Sequence, residues 1–368
     1  MLIKNFDALN STLQRKICLE LIESALSSIQ PENIIKKNIS LKKNILTIQD
    51  QTFNLEDFER VFLIGFGKGS AGLSKHIEEI LGNILTKGFV IDLEQQSRSV
   101  GTNIEFTQGT HPLPSQPNFV FTKKVLEHFR NLTEKDLVIV IIAGGGSALF
   151  VNPYKVSLDK LIDTNKMLLK SGANIREMNI VRKHLDSVKG GGLAKLLYPA
   201  KVISLIASDV PGNDLSTIAS GPTVKDHTTK QEALEILKKY NLLDKLNLSS
   251  DDFLETPKDD MYFKNTLNIL LLSNQTALNA MERKAKELGY NAIIYSDKLQ
   301  GEARFVGKEL IDNTPPHHIV LASGETTVKV KGKGIGGRNQ ELVLSSLEHL
   351  GSDTLIASLD SDGWDNSL

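Results

Sequence analysis

Residues 137–143, Leu-Val-Ile-Val-Ile-Ile-Ala, run without a polar interruption into Gly144-Gly145-Gly146-Ser147. A short run of this kind, rich in β-branched side chains, reads as a strand that is apolar on both faces. Such a strand fits a sheet covered by helices on both sides, and sheets of that kind are parallel. The turn that follows is equally restrictive. Ordering three consecutive glycines costs more backbone entropy than ordering other residues. Tight packing of strand against helix rarely needs all three, so something is expected to come close to the backbone there.

The same pattern recurs along the chain. Residues 61–64 read as a buried strand, followed by Gly65-Phe66-Gly67-Lys68-Gly69-Ser70 and a helix over 69–84. Further strands are expected at 87–92, 201–207, 267–272, 319–322 and 354–359. The stretch 317–332 is expected to hold two β segments divided by Gly324, and residues 339–350 a helix. Leu13, Ile17, Leu21, Ile22 and Leu26 lie at helical spacing within 11–29. The expected class is α/β, with strands and helices alternating. A length of 368 residues exceeds one ordinary core, so two domains are expected. The polar stretch 244–262 is the candidate linker, which sets domains of 1–243 and 263–368.

Composition removes several classes of function. A net charge of −1 calls for neither nucleic acid nor an anionic membrane as partner. The lone Cys18, in an amphipathic helical stretch, excludes a disulfide framework and a cysteine-built zinc site. A reduced, cytoplasmic setting is expected, because the opening residues lack the apolar core of a signal peptide and no run reaches membrane length.

In open α/β sheets ligands bind at the carboxyl ends of strands. Six such ends carry small or polar residues here: Gly65–Ser70, Gly144–Ser147, Ser208–Asp214, Ser273–Thr276, Ser323–Thr326 and Asp360–Gly363. Glycine turns that open helices present backbone N–H groups and the positive end of the helix dipole to an anion. Lys68 adds a cation to that geometry, although a solvated surface lysine is the plain alternative. The Gly65–Ser70 turn is too short for a Walker loop, and Ala71 stands where a dinucleotide fingerprint has its third glycine. Asp209 is suited to accepting a proton or holding a metal, or to a simple Asx turn. Arg338, after glycines and before a helix, suits a bidentate contact to carboxylate or phosphate. Arg182, Lys183 and Lys189 surround a helix end followed by Gly190-Gly191-Gly192 and read equally as dipole partners. His111, before Pro112, reads first as structural. No elbow of the Gly-x-Ser-x-Gly type is present, which weakens a hydrolase reading.

Taken together, nine segments in one order resemble the glycerate 2-kinase family with an MOFRL-type C-terminal domain. They include "GFGKGSAGL", "GTHPLP", "IIAGGGSALF", "NIVRKHLDSVKGGGLA", "SDVPGNDLSTIASGPT" and "GGRNQELVL", and they span nearly the whole chain. The resemblance implies ATP-dependent phosphorylation of D-glycerate with Mg²⁺. It also implies a Rossmann-like N-terminal domain with a parallel sheet, a smaller α/β C-terminal domain and a cleft between them. Carried onto this chain, the catalytic lysine is Lys68, the arginine is Arg338, and Asp209 is the acid of the "DVPG" motif. The same comparison places nucleotide-binding groups at Gly65, Gly67, Gly144, Gly145, Gly146, Ser147, Asn274 and Glu325. Substrate-binding groups fall on Ser70, Arg182, Lys189 and Asn339, and the metal on Asp209 and Asp362. D-Glycerate is the implied partner, with neither nucleic acid nor membrane, and a homodimer is an open expectation.

One departure stands out. Family members continue beyond a Thr-Asp-Gly-x-Asp-Gly-Pro-Thr segment, whereas here Ser361–Asn366 corresponds to it and the chain stops at Leu368. An open edge or exposed apolar patch is therefore expected near this end, with consequences for activity and stability. Two alternatives remain at this level. One is an NAD(P)H-dependent hydroxypyruvate reductase, with Asp92 as the acid that would meet a ribose. The other is a ligand-binding protein without turnover.

Overall fold

The structure, a computed structural model, describes residues 1–93, 103–332, 334–361, 363 and 365. The strands are β1 (Ile39–Lys42), β2 (Ile45–Ile48), β3 (Gln51–Asn54), β4 (Arg60–Phe66), β5 (Leu85–Asp92), β6 (Ile104–Gln108), β7 (Asp136–Ile142), β8 (Lys201–Ala207), β9 (Thr266–Leu272), β10 (Asn291–Leu299) and β11 (His318–Gly324). The helices are α1 (Phe6–Leu9), α2 (Leu13–Ser28), α3 (Pro31–Asn38), α4 (Ser70–Leu81), α5 (Gln116–His128), α6 (Gly146–Leu149), α7 (Leu158–Lys170), α8 (Ile175–Leu185), α9 (Gly192–Leu197), α10 (Lys230–Lys239), α11 (Asn274–Glu287), α12 (Ala303–Asp312) and α13 (Arg338–Ser346). They form two compact units, Ile34–Leu271 on one hand and Met1–Asn33 with Leu272–Leu368 on the other.

In the larger unit six strands form one sheet in the order β6-β5-β4-β7-β8-β9. The pairings β6–β5, β5–β4, β4–β7 and β7–β8 are parallel. Every residue of β7 is buried, as the unbroken apolar run requires. Phe62, Phe66, Phe89, Phe121, Phe129 and Phe150 fill one core with the branched residues of β7 and β8. Within it Phe66 and Phe150 stack with ring centroids 4.4 Å apart, joining the end of β4 to the residue after α6. The chain leaves β4 for β5 on one side and returns to β7 on the other. The switch in strand order therefore falls between β4 and β7, and the crevice at a switch point is where such sheets take ligands. Strands β1, β2 and β3 make a separate antiparallel meander.

Residues 244–262, expected as a linker, are instead packed into the larger unit. Leu246, Leu248 and Phe253 seat in a core with Leu161 and Leu168 of α7, Val181 and Leu185 of α8, and Leu237 of α10. Three apolar side chains suffice to fix a stretch that is polar on average. The unit boundary falls at 271/272, and residues 1–33 join the C-terminal residues rather than the N-terminal ones.

In the smaller unit β10 and β11 pair in parallel. Helix α2 packs along α11, with Ser24 Oγ donating to Ala280 O at 3.1 Å and Lys284 3.3 Å from Glu20. Ala303, Val306 and Leu342 join α12 to α13. The strand expected at 354–359 does not form, nor does a second strand after Gly324: among the described residues β10 and β11 are each other's partners, and an apolar run without a partner strand has no ladder to join. An open hollow of about 870 Å³ lies in this unit, lined by Leu26, Val343, Leu344, Leu347 and Leu359 among others. Leu344 and Leu347 are 65% and 57% exposed.

Candidate active site

The two glycine turns at the switch point lock onto each other. Lys68 donates its backbone N–H to Gly144 O at 2.8 Å, and Ala143 donates to Phe66 O at 3.0 Å. Gly67 has φ +112°, and a Cβ there would stand 2.4 Å from Ala143 O, so glycine is needed for both conformation and space. Gly65 is inside β4, where the absent Cβ makes room for Ser74 Oγ and Val90. The missing side chain thus serves strand–helix packing. The exposed Lys68 side chain projects from this doubly tied turn.

On the other turn, Asp209 lies directly against Gly144. A Cβ at Gly144 would be 2.1 Å from Asp209 Oδ2, a closeness only glycine permits. His111 approaches the neighbouring residue in the same way: its Cδ2 would be 2.8 Å from a Cβ at Gly145. Gly146 opens α6, and Ser147 Oγ lies 3.0 Å from Ser220 Oγ. Ser220 in turn donates to Asn179 Oδ1 at 3.5 Å, and Arg182 Nη1 reaches the same oxygen at 3.4 Å. Arg182 also donates from Nε to Asn165 Oδ1 at 2.9 Å. These partners are neutral, and burial lowers the guanidinium's pKa. Asp214, further along the same loop, forms an Asx turn: its carboxylate accepts from Ser216 N at 2.9 Å and Thr217 Oγ1 at 2.8 Å.

Three expected ligand contacts are redirected into the protein. The helix α4 was expected to offer its first amides to a phosphate. Instead the buried carboxylate of Asp92, at the end of β5, accepts from Ala71 N at 3.0 Å and also from Gly69 N. Asp92 is fully buried there, which removes it as a ribose acid and with it the sequence basis for a reductase. Ser70, expected at the substrate, is fully buried and donates to Ile91 O at 3.1 Å. Lys189, also expected at the substrate, is 2% exposed. Its Nζ donates to Ser147 O at 2.9 Å and Phe150 O at 3.0 Å, and lies 3.3 Å from Asp186. Burial, above all, lowers its pKa. Asp186 accepts from Asn152 N and Val188 N, so the pair fixes the far end of α6 rather than facing a ligand.

The remaining expected residues lie in the smaller unit. Arg338, the first residue of α13, bonds Glu325 and donates from Nη2 to Asp360 Oδ1 at 3.0 Å. Asn339 Nδ2 donates to Asp360 Oδ2 at 2.9 Å and Asp365 Oδ1 at 2.8 Å, while the amides of Asn339 and Gln340 are capped by Asp365. Asn274 opens α11 and donates to Asp297 O at 3.3 Å. Asp362 lies outside the described residues. Among the described residues no group of three or more His, Cys, Asp or Glu gathers as a metal cage, and no helix is long and apolar enough to cross a membrane.

His111, Ser220 and Asn179 join the site although sequence reasoning did not select them. The "GTHPLP" and "TIASGPT" segments held the signal, but nothing local says that they meet at Gly144–Ser147.

Fold and site define an α/β protein whose helix-covered parallel sheet presents a bare backbone turn, an acid and a cation at its switch point. The "Domain of unknown function (DUF4147)" model matches residues 17–255, and that of the MOFRL family matches 318–367. A D-glycerate 2-kinase of Thermotoga maritima is 35% identical over 366 residues, covering 95% of this chain and 83% of that one. A solved structure of a Pyrococcus horikoshii protein superposes with a TM-score of 0.81 at 34% identity, covering 97% of this chain and 85% of the other. The crystal structure of a glycerate kinase from Thermotoga maritima gives 0.78 at 32% identity, covering 92% and 80%. The chain belongs to the glycerate kinase family.

Proposed function

We propose that this chain transfers the terminal phosphoryl group of Mg·ATP to the 2-hydroxyl of D-glycerate, giving 2-phosphoglycerate and ADP. The observation that carries the reading is the contact of Asp209 with Gly144, on the turn whose carbonyl holds the Lys68 backbone. The carboxylate of Asp209 and the backbone of Lys68 both lie against this turn, where no side chain is in the way. Phosphoryl transfer passes through a loose transition state, so positioning and charge neutralisation do most of the catalysis. The glycerate hydroxyl oxygen forms the new bond to phosphorus as the bond to the ADP oxygen breaks. Asp209 accepts the hydroxyl proton, and the Lys68 ammonium faces the charge spread over the transferring group. Arg182, with Ser147, Ser220 and Asn179, offers donors to the substrate carboxylate. From the resemblance alone, Arg338 is a further proposed cation for the anionic reactants.

The ion arrives with the nucleotide. Mg²⁺ bound to phosphates keeps most of its waters and needs only one or two carboxylates. Asp209 fits that donor chemistry, and it cannot act as the base at the same moment. Asp209→Asn separates the roles: loss of kcat at every Mg²⁺ concentration identifies the base, and recovery at high Mg²⁺ identifies a ligand.

The reading is tested by coupling ADP release to D-glycerate addition and converting the product with enolase, which accepts 2- but not 3-phosphoglycerate. Glycerate-dependent ADP with enolase-active product is expected. Binding of ATP or glycerate without ADP release would replace it with a ligand-binding protein, and NADH consumption with hydroxypyruvate would replace it with a reductase.

A further inference from the structure

Lys68 stands between two glycines, and the turn is tied on both sides. On one side the tie is to β7, through Gly144 O and the close contact of Gly67 with Ala143. On the other it is to the end of β5. There Asp92 Oδ2 accepts the Ala71 N–H at 3.0 Å, the Gly69 N–H meets the same carboxylate, and Ser70 Oγ donates to Ile91 O at 3.1 Å. Asp92 is itself fixed: Oδ1 accepts its neighbour Leu93 N–H at 2.7 Å, and its own carbonyl accepts Gly109 N–H at 2.8 Å.

This arrangement is costly for a buried carboxylate. Asp92 has no exposed surface, and among the described residues the donors that meet its side chain are the backbone amides of Gly69, Ala71 and Leu93. Burial outweighs the amides and pushes its pKa up to about 6. A neutral side chain would sit in the same place with less penalty, whereas only an ionised carboxylate accepts all three amides without turning a donor toward one of them. The position therefore favours geometry over stability, as functional sites often do.

We propose that Asp92 is a positioning residue of the phosphoryl-transfer site: its carboxylate holds the Gly67–Ala71 turn and thereby sets where the Lys68 side chain is presented. It touches no substrate; it acts through Lys68. The inference rests on the reading of this chain as a phosphotransferase, with one part that is independent of it.

That independent part is read by hydrogen exchange. In Asp92→Asn the amide-NH₂ group faces one of the two α4 amides, so exchange in a peptide covering 67–73 should speed up at least tenfold while peptides of β7 and β8 stay unchanged. Equal exchange in both proteins overturns the tie itself. Kinetics then read the consequence: kcat should fall at least tenfold with KM for glycerate within threefold and no loss of melting temperature. A kcat within twofold of wild type, or a fall that only tracks loss of folded protein, overturns the positioning role. If Asp92→Asn does not fold, the wild-type chain decides: kcat should drop on the acid side with a midpoint near 6 while KM holds, in Asn and Gln variants of His111 as well as in the wild type. His111, Lys68 and Asp209 are the other ionisable groups at these turns, which is why His111 is varied. Absence of that acid limb, or its disappearance with His111, overturns the proposal. A wild type that releases no ADP refutes the function and leaves the exchange result to judge the tie.

Discussion

Replacing Gly144 by alanine should damage catalysis far more than folding. The added Cβ would stand 2.1 Å from Asp209 Oδ2 and 2.7 Å from its Cγ. Ordinary contact begins at 3.4 Å, so the carboxylate oxygen must retreat by about 1.3 Å (3.4 − 2.1). Asp209 is exposed, and its carboxylate is the far end of a short side chain, so it turns away at little cost to the fold. Gly144 is outside the left-handed region, and Gly→Ala at a compatible position stabilises by about 0.4–1 kcal/mol through the unfolded chain. The net change in stability should therefore stay within about 1 kcal/mol. A displacement of about 1 Å in a catalytic group costs on the order of 10²-fold in rate, or about 2.7 kcal/mol of transition-state stabilisation. The assay is glycerate-dependent ADP release beside a thermal melt. Gly67→Ala is the contrast: its Cβ would meet backbone, 2.4 Å from Ala143 O, at φ +112°, so the melt itself should collapse. If Gly144→Ala keeps kcat/KM within threefold while folded, the contact between Asp209 and Gly144 is not part of the chemistry.

Lys189→Met leaves Asp186 buried without its cation, and should destabilise by about 3–5 kcal/mol in urea titration; a loss below 1 kcal/mol would mean the pair is dispensable to α6. Asp92 has a folded pKa of about 6 against an ordinary 3.8, so it contributes stability fully present below 3.8 and lost as pH rises through 6. The difference is about 3 kcal/mol at 1.36 kcal/mol per pKa unit, and Asp92→Asn should therefore gain on wild type between pH 4 and pH 7.5; a constant difference across that window would refute it. Arg338→Lys should lose most activity, since one ammonium cannot reproduce the fork that meets Glu325 and Asp360; near-normal kcat/KM would show that only charge matters.

Much of the sheet could be read from single runs. Strands β4, β7 and β8 are nearly unbroken apolar segments, and burial on both faces leaves that pattern little choice of structure. The two central turns were legible for a related reason, because clustered glycines at strand ends mark close backbone approach. What could not be read depends on neighbours distant in sequence. Asp92 looks like any acid ending a strand until β5 lies beside β4 and brings it to the amides of α4. Lys189 and Ser70 carry the chemistry of a ligand site, yet their partners, Ser147 O and Ile91 O, are set by which loops stack. The pairing of α2 with α11, which assigns residues 1–33 to the C-terminal unit, involves two amphipathic helices with no local mark of each other. Residues 354–359 have the apolar content of a strand but, among the described residues, no ladder partner.

The central claim, that a cation beside Gly144 helps to move the phosphoryl group, is tested most directly by the kinetics of Lys68→Met. This side chain is exposed to solvent and can be replaced without disturbing the core. Glycerate-dependent ADP release should fall by at least 10²-fold with the melting temperature unchanged. Undiminished turnover by the folded variant would show that Lys68 takes no part in the transfer.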